Sequence, residues 1–419
     1  MVWESCKTNK KDVQRLNLNI LVLATSFPTN EQDISGKFIK DQIQNLKFYH
    51  NNFSFHILIG NRSNHTFRNT SKDYSLHKFR YFIKKLEIIG NEDIKVQLNQ
   101  NKAIYFLIPF YFIGQLVSAF KLVIKNKIDK IHVHWFMPQA FVAFLIKKIY
   151  KIPYNITIHS SEVIFFVNRF WFIGKFISKK VLHNAGKIWV TSENTKETLK
   201  KIFTDEEIID LNIIVSPMGL NTNFLDNIKE SEILNSDSTK NILYVGRFVE
   251  KKGLINLVKA FQMIHTEILE YKLILAGYGH LKLEIENLIK KLNLNEKVVI
   301  LDKVNENQKK HLFNLSEIIV VPSSSQKNDV EGMPVVILEG LYYEMLVLAT
   351  KSTFCEQVIN NEENGFIIDS NEPENLAKIL KKIINIDKKI KIQIKQNAKK
   401  SILDYSSKNS SIKYKEFLS

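Results

Sequence analysis

From residue 240 onward, short unbroken apolar runs alternate with longer stretches whose apolar positions recur every three or four residues. Residues 242–245, 273–276, 298–301 and 318–321 show no polar alternation and read as strands covered on both faces, as in a parallel sheet. Between the first two, Leu254, Leu257, Val258 and Phe261 fall on one face of a helix. The first half repeats the rhythm, with strand candidates at 20–24, 55–59, 131–134, 155–158 and 188–191. Such alternation lays helices on both faces of a parallel sheet. A polar stretch, 226–241, reads as a connection between the halves. The pattern predicts an α/β chain of two doubly wound parallel-sheet domains facing a central cleft, 1–218 and 219–400. Residues 401–419 form a last segment, expected to pack back on the first domain.

One stretch breaks the rhythm. Residues 103–120 are apolar over a length at the lower edge of what crosses a bilayer. Pro109, Gly114, Gln115 and the return to a strand at Ile131 predict instead a strand or loop followed by a buried helix.

The bulk numbers narrow the function classes. A chain of 419 residues exceeds one ordinary core, and 45% apolar with 24% charged residues exclude a disordered polymer. Cys6 and Cys355 stand far apart, which excludes a disulfide framework or a cysteine zinc cluster and points to a reducing compartment. Residues 1–18 are polar and show no signal peptide. The net charge of +16 sits in the first half: residues 1–200 hold 30 Lys and Arg against 13 Asp and Glu, whereas residues 201–419 hold 29 against 30. Such asymmetry fits an anionic partner for that half or, equally, a solvated Lys-rich face. Without a zinc finger or a nucleic-acid-binding signature, nucleic acid is disfavoured and peripheral contact with an anionic membrane is the expectation. Residues 164–182 mix Phe165, Phe166, Phe170, Trp171, Phe172 and Phe176 with Arg169, Lys175, Lys179 and Lys180. That mixture suits a membrane interface or a helix packed on its own domain.

The chemistry gathers at strand ends. In Glu331-Gly332-Met333-Pro334-Val335, glycine and proline precede an apolar helical run that continues to Glu339. Proline favours the first helical position, so the helix should begin near Pro334, its free N–H groups beside Glu331. Glu339 lies about one and a half turns further along. In Val245-Gly246-Arg247-Phe248-Val249-Glu250-Lys251-Lys252-Gly253, a strand ends at a sharp turn, and Arg247 and Lys252 can converge on one anion. Gly277-Tyr278-Gly279-His280 resembles a dinucleotide fingerprint but lacks its third glycine, so it reads as a tight turn lining the cleft. His159 ends a strand in Thr157-Ile158-His159-Ser160-Ser161-Glu162, where spacing alone favours an interior side chain. His132 and His134 face one side of another strand, but no third metal ligand has suitable spacing. No Asp-x-Asp pair, Gly-x-Ser-x-Gly elbow or P-loop occurs. No metal or cofactor is therefore expected.

Together these residues resemble the retaining GT-B glycosyltransferases of family four, the glycosyl transferases group 1 class. The resemblance spans nearly the whole chain and is most specific over 242–368. It implies two Rossmann-like domains and transfer from a nucleotide-diphosphate sugar, UDP favoured, to a glycan or lipid-linked acceptor in surface polysaccharide or glycoconjugate synthesis. It implies that Glu331 contacts the donor sugar, Glu339 the ribose, and Arg247 and Lys252 the diphosphate. His159, matching the histidine of a His-Gly-x-Asp stretch, would lie near the transferred sugar. His159, Glu331, Arg247 and Lys252 are thus the catalytic candidates. Gly36, Gly246, Gly277, Val304, Gly332, Met333, Pro334 and Val335 complete the donor-binding set. Ser216-Pro217-Met218-Gly219 resembles the family's entry into the second domain. The chain departs from the pattern in reading His-Ser-Ser-Glu, in Glu344 and Leu346 after the second Glu, and in Ser352-Thr353-Phe354-Cys355-Glu356 for a Gly-Gly-x-x-Glu turn. The distant cysteines give a cytoplasmic expectation, and the basic first half adds contact with the inner face of the cytoplasmic membrane to it. Rival readings are a nucleotide-sugar epimerase of the same architecture, a non-catalytic partner subunit, and a nicotinamide oxidoreductase, the last weakened by the broken glycine pattern.

Overall fold

Two parallel sheets, each with its lowest-numbered strand inside rather than at the edge, organise the chain. The computed structural model describes residues 17–30, 33, 35–62, 71–90, 98, 101–160, 162–222, 240–324 and 332–419. The first sheet contains β1 (Leu18–Leu23), β2 (Phe53–Gly60), β3 (Tyr74–Phe79), β4 (Lys130–His134), β5 (Tyr154–Ile158), β6 (Ile188–Val190) and β7 (Ile213–Val215), in the order β3-β2-β1-β4-β5-β6-β7. The second contains β8 (Lys240–Val245), β9 (Tyr271–Ala276), β10 (Val298–Leu301), β11 (Ile318–Val321), β12 (Leu346–Thr350) and β13 (Phe366–Ile368), in the order β10-β9-β8-β11-β12-β13. In both, the chain winds outward one way from the first strand and then the other. A crevice therefore opens at the reversal, beyond the carboxyl ends of β1 and β4 and of β8 and β11. This is the two-domain Rossmann-like architecture the apolar runs predict.

The central strands are apolar because helices cover both faces. Val22, Leu23, Leu243 and Leu348 are fully buried. The three-residue edge strands β7 and β13 escape the sequence reading because so few residues leave no periodicity, and β3 escapes it because its polar residues interrupt the apolar run. Most of the polar stretch 226–241 lies outside the described residues, and its last two residues already belong to β8.

The apolar run after residue 103 forms one helix. Helix α1 (Lys37–Tyr49) follows β1, and α2 (Ile104–Lys125) lies against the first sheet with Pro109 inside it. Tyr111, Gln115, Ala119 and Leu122 are buried, whereas Phe106, Phe110, Ile113, Val117 and Ile124 are exposed. The expectation of a strand or loop and then a buried helix is corrected: one face packs, with the Tyr111 ring edge-on to Phe79 and Tyr81, and the other is open. Helix α3 (Gln139–Tyr150) lies beside it, and α4 (Glu162–His183) is broken at Trp171, whose φ of 39° is non-helical.

In the second domain, α5 (Leu254–Ile264) follows β8, α6 (Glu306–Asn314) follows β10 and α7 (Val335–Tyr342) precedes β12. The chain then returns. Helix α8 (Ser407–Leu418) packs on the first sheet, where Tyr414, Phe417 and Leu418 join Ile20, Val22, Phe55 and Trp189 in one core. The Asn155 amide donates to the Phe417 carbonyl, and Lys130 Nζ donates to the Ser419 carbonyl at 2.8 Å.

Candidate active site

The loop after β8 is held from two sides. Gly277 has φ 153°, and a Cβ there would overlap the Gly246 carbonyl oxygen, so only glycine lets the β9 loop lie on the β8 loop. The Tyr244 hydroxyl donates to the Arg247 carbonyl at 2.8 Å. On the far side, Ser324 N–H donates to the Lys251 carbonyl at 2.8 Å, tying the loop to the end of β11. Arg247 and Lys252 thus leave a braced backbone, both partly buried, at the reversal point of the second sheet. Val304 lines an open groove of about 470 Å³ beyond β10, with Asn305, Gln308 and His311.

Helix α7 starts one residue later than its sequence suggests. Pro334, at φ −67° and ψ 131°, is the cap residue, and among the described residues no side chain caps the helix. Ile337 N–H donates to the Pro334 carbonyl at 3.0 Å, so the N–H groups of Val335 and Val336 are the ones at the helix start that can meet an anion. Met333 points into the core at 7% exposure, which leaves only its backbone to meet a ligand, and Val335 packs against the same cluster. Glu331 lies outside the described residues. Gly332 is described, and it reaches the first domain: a Cβ there would overlap the His159 carbonyl oxygen and stand 3.0 Å from Thr191 Oγ1. The two halves of the site therefore touch at a position where only a hydrogen fits.

Glu339 is engaged by a cation that the sequence reading missed. Its Oε1 lies 2.7 Å from Lys309 Nζ, Lys309 lies 3.1 Å from Glu306, Glu306 lies 3.5 Å from Lys37, and Lys37 lies 2.6 Å from Asp41. The chain of charges crosses from the second domain to α1 of the first. Burial alone would lower the Lys309 pKa, but Glu339 and Glu306 more than offset it and hold the ammonium charged. Burial opposes charge on Lys37 too, and Asp41 and Glu306 again prevail.

On the first domain, Gly36 caps α1 after β1, and Phe38 in the first turn packs its ring 4.7 Å from that of His159. Both Glu162 carboxylate oxygens accept backbone N–H groups, from His159 and Ser160, at 2.7 Å each. The acid of the His-Ser-Ser-Glu stretch thus fixes the backbone of the histidine. His159 Nε2 is 3.1 Å from His134 Nδ1, and the His134 and His132 rings are 4.1 Å apart. His132 is occupied at both nitrogens, by the Tyr414 hydroxyl and by Thr157 Oγ1, each at 2.8 Å. His134 and His159 are thus stacked and hydrogen-bonded, with the His132 ring tilted against His134, and among the described residues no His, Cys, Asp and Glu group could hold a metal ion.

Burial pushes all three histidines down: His132, with the charge of His159 adding to the effect, to about 3, His159 to about 3, and His134 well below the ordinary 6.5. His159 is thus a neutral hydrogen-bonding group throughout the physiological range. The unfolded chain takes up protons near pH 6.5 and the folded chain only near 3. Between those values the unfolded state binds more protons, so stability falls as the pH drops, by up to about 1.4 kcal/mol per pH unit for each histidine. Urea midpoints should decline steadily from pH 7 to pH 5. A flat profile there would show that the imidazoles are hydrated in the folded protein.

Comparison with known proteins agrees with this arrangement. Residues 226–401 match the family described as glycosyl transferases group 1, and residues 93–215 match glycosyltransferase family 4. The chain is 28% identical over 281 residues to an uncharacterized glycosyltransferase of Methanocaldococcus jannaschii, covering 66% of this chain and 72% of that protein. It is 27% identical over 245 residues to a capsular polysaccharide biosynthesis glycosyltransferase of Staphylococcus aureus, covering 55% and 60%. The structure of HepE from Anabaena, solved with UDP and glucose, superimposes with a TM-score of 0.68 at 15% identity, covering 96% of this chain and 99% of that one.

Proposed function

For this chain, which belongs to the group 1 glycosyltransferases of GT-B fold, we propose a retaining enzyme that moves a sugar from a nucleotide-diphosphate sugar, UDP-linked by preference, to a glycan or lipid-linked acceptor. The observation that carries this reading is the meeting of two strand-end sites. Gly332, just before the start of α7, comes against the backbone of His159 on the opposite domain, and the Arg247–Lys252 loop at the end of β8 is read as the anion-binding part of the same cleft. The similarity to a capsular polysaccharide glycosyltransferase supports a surface-polysaccharide role, and the UDP in HepE supports the nucleotide. The paucity of cysteine and the basic first domain support a cytoplasmic setting at the inner face of the membrane.

In this reading, Arg247, Lys252 and the α7 N–H groups receive the charge that develops as the bond from anomeric carbon to diphosphate oxygen breaks. The acceptor hydroxyl attacks from the same face, and its proton passes to the departing phosphate. His159, neutral and braced by His134 and Glu162, hydrogen-bonds the transferred sugar. A closed cleft keeps water from the donor. Metal independence follows from cationic side chains in place of an acidic pair.

Incubation with UDP- and GDP-sugars, with and without lipid-linked acceptors, should release nucleotide only when an acceptor is present, and the product should keep the donor's anomeric configuration. Conversion of the nucleotide sugar without acceptor would replace transfer by epimerisation. His159→Ala should slow transfer while leaving UDP affinity unchanged, and unaltered transfer would return His159 to a packing role. Glu339→Gln should weaken UDP binding about tenfold or more, the scale of one charged hydrogen bond. Equal UDP affinity in the parent and Glu339→Gln would mean that Glu339 serves only Lys309.

A further inference from the structure

Two groups of exposed apolar side chains in the first domain lie together. Phe106, Ile113 and Ile124 on the outer face of α2 are 63%, 55% and 64% exposed, and Trp171, Phe172 and Ile173 at the break in α4 are 82%, 76% and 64% exposed. Single exposed apolar residues are ordinary, but a contiguous patch of this kind marks an interaction site. Contacts join these groups into one surface. The Arg169 guanidinium lies over the Tyr105 ring at 4.8 Å, which links the α4 break to the start of α2. Phe82 packs against Phe106 and Phe110 at 6.0 and 5.2 Å, which adds the neighbouring exposed Ile83 and Leu86.

Among the described residues, the charges exposed around these side chains are positive. Residues 94–128 and 163–192 contain no Asp or Glu. Lys84, Lys85, Lys102, Arg169 and Lys175 are exposed around the apolar side chains. The nearby acid Glu87 is fully buried and accepts from Arg80 and Asn61, so it presents no negative charge outward. We propose that the outer face of α2 and the break in α4 together dock the protein on an anionic lipid bilayer, with α2 lying along the interface and Trp171 and Phe172 inserted into it.

The chemistry selects this occupant over others. Helix α2 is long and apolar enough to cross a membrane. Its inner face nevertheless buries Tyr111 and Gln115 against the first sheet, so crossing would strip a packed side from the domain. A second copy of the chain would bring a ring of cations against its own image. An anionic bilayer meets both features: the headgroups take the cations, and the acyl boundary takes the aromatic groups. The proposal goes beyond sugar transfer and stands without it. It also gives α4 a direction. That helix begins at Glu162, which holds the backbone of His159, so the inserted tip and the acceptor side of the cleft belong to one element.

Flotation of the full chain with phosphatidylcholine vesicles, with and without phosphatidylglycerol, tests the proposal. The protein should float with anionic vesicles at about 0.1 M salt and detach at about 1 M, where the screening length falls to about 3 Å. It should also leave the membrane in alkaline carbonate. The pair Trp171→Ser with Phe172→Ser, and separately Phe106→Ser with Ile113→Ser, should each weaken binding about tenfold or more, the scale of withdrawing large apolar side chains from a lipid. Leu283→Ser, at an exposed apolar position of the second domain, should change nothing. Trp171 fluorescence should shift to the blue on anionic vesicles. Equal flotation on neutral and anionic lipid at either salt, resistance to carbonate, no flotation, or parent-like binding by both serine pairs would each overturn the proposal. So would concentration-dependent self-association that the same serine pairs abolish.

Discussion

Arg247→Ala lowers kcat about 10²–10³-fold, measured as nucleotide released at saturating donor and acceptor, while the protein unfolds at the same urea midpoint as the parent. The expectation rests on where the guanidinium stands. Its backbone is braced by the Tyr244 hydroxyl and by the packing of Gly277 on Gly246, so the loop holds its shape without the side chain. The loss then falls on the transition state, where one missing donor to a developing anion costs about 3–4 kcal/mol. Lys252→Ala should behave alike, and Lys252→Arg should recover part of the rate because charge alone is restored. A drop in donor affinity with unchanged kcat would assign both cations to ground-state binding. Near-parent turnover in both variants would remove them from the diphosphate.

Deleting residues 407–419 prevents the first domain from folding, whereas the second domain loses little. Tyr414, Phe417 and Leu418 are fully buried against strands of the first sheet. Each large side chain removed from a core costs about 3–5 kcal/mol, and a domain has only about 5–15 kcal/mol in total. The truncated chain should collect in the insoluble fraction. Phe417→Ala, a milder change, should remain soluble and lower stability by about 3–5 kcal/mol in urea unfolding. A soluble truncated chain with the parent's near-ultraviolet circular dichroism would mean that the last helix merely rests on the sheet.

What the sequence revealed follows from the range of each interaction. Strands such as 318–321 are apolar on both sides because both sides are covered, and that leaves a local mark. The turn at Gly246 and the helix start at Pro334 are local too, and the structure finds both within a residue. Helix α2 misled the reading because its free face is as apolar as its packed one, so no polar stripe distinguished outside from inside. The pair of Glu339 with Lys309 joins side chains on separate helices, and Lys309 stands beside Lys310 with no pattern to single it out. His132 and His134 could be placed on one side of a strand by alternation alone. The link from His132 to Tyr414 could not, because it joins residues 282 positions apart.

The return of the last helix also sets an order of events on the ribosome. Strands β1, β2 and β4 emerge first, yet the side chains that seal one face of their sheet are made after the entire second domain. The second domain has its own sheet and core, complete before α8 appears. The half translated later can therefore finish first, while the half translated earlier waits with Ile20, Val22 and Phe55 uncovered. A nascent chain arrested before residue 407 should recruit chaperones to the first domain and present a protease-resistant second domain.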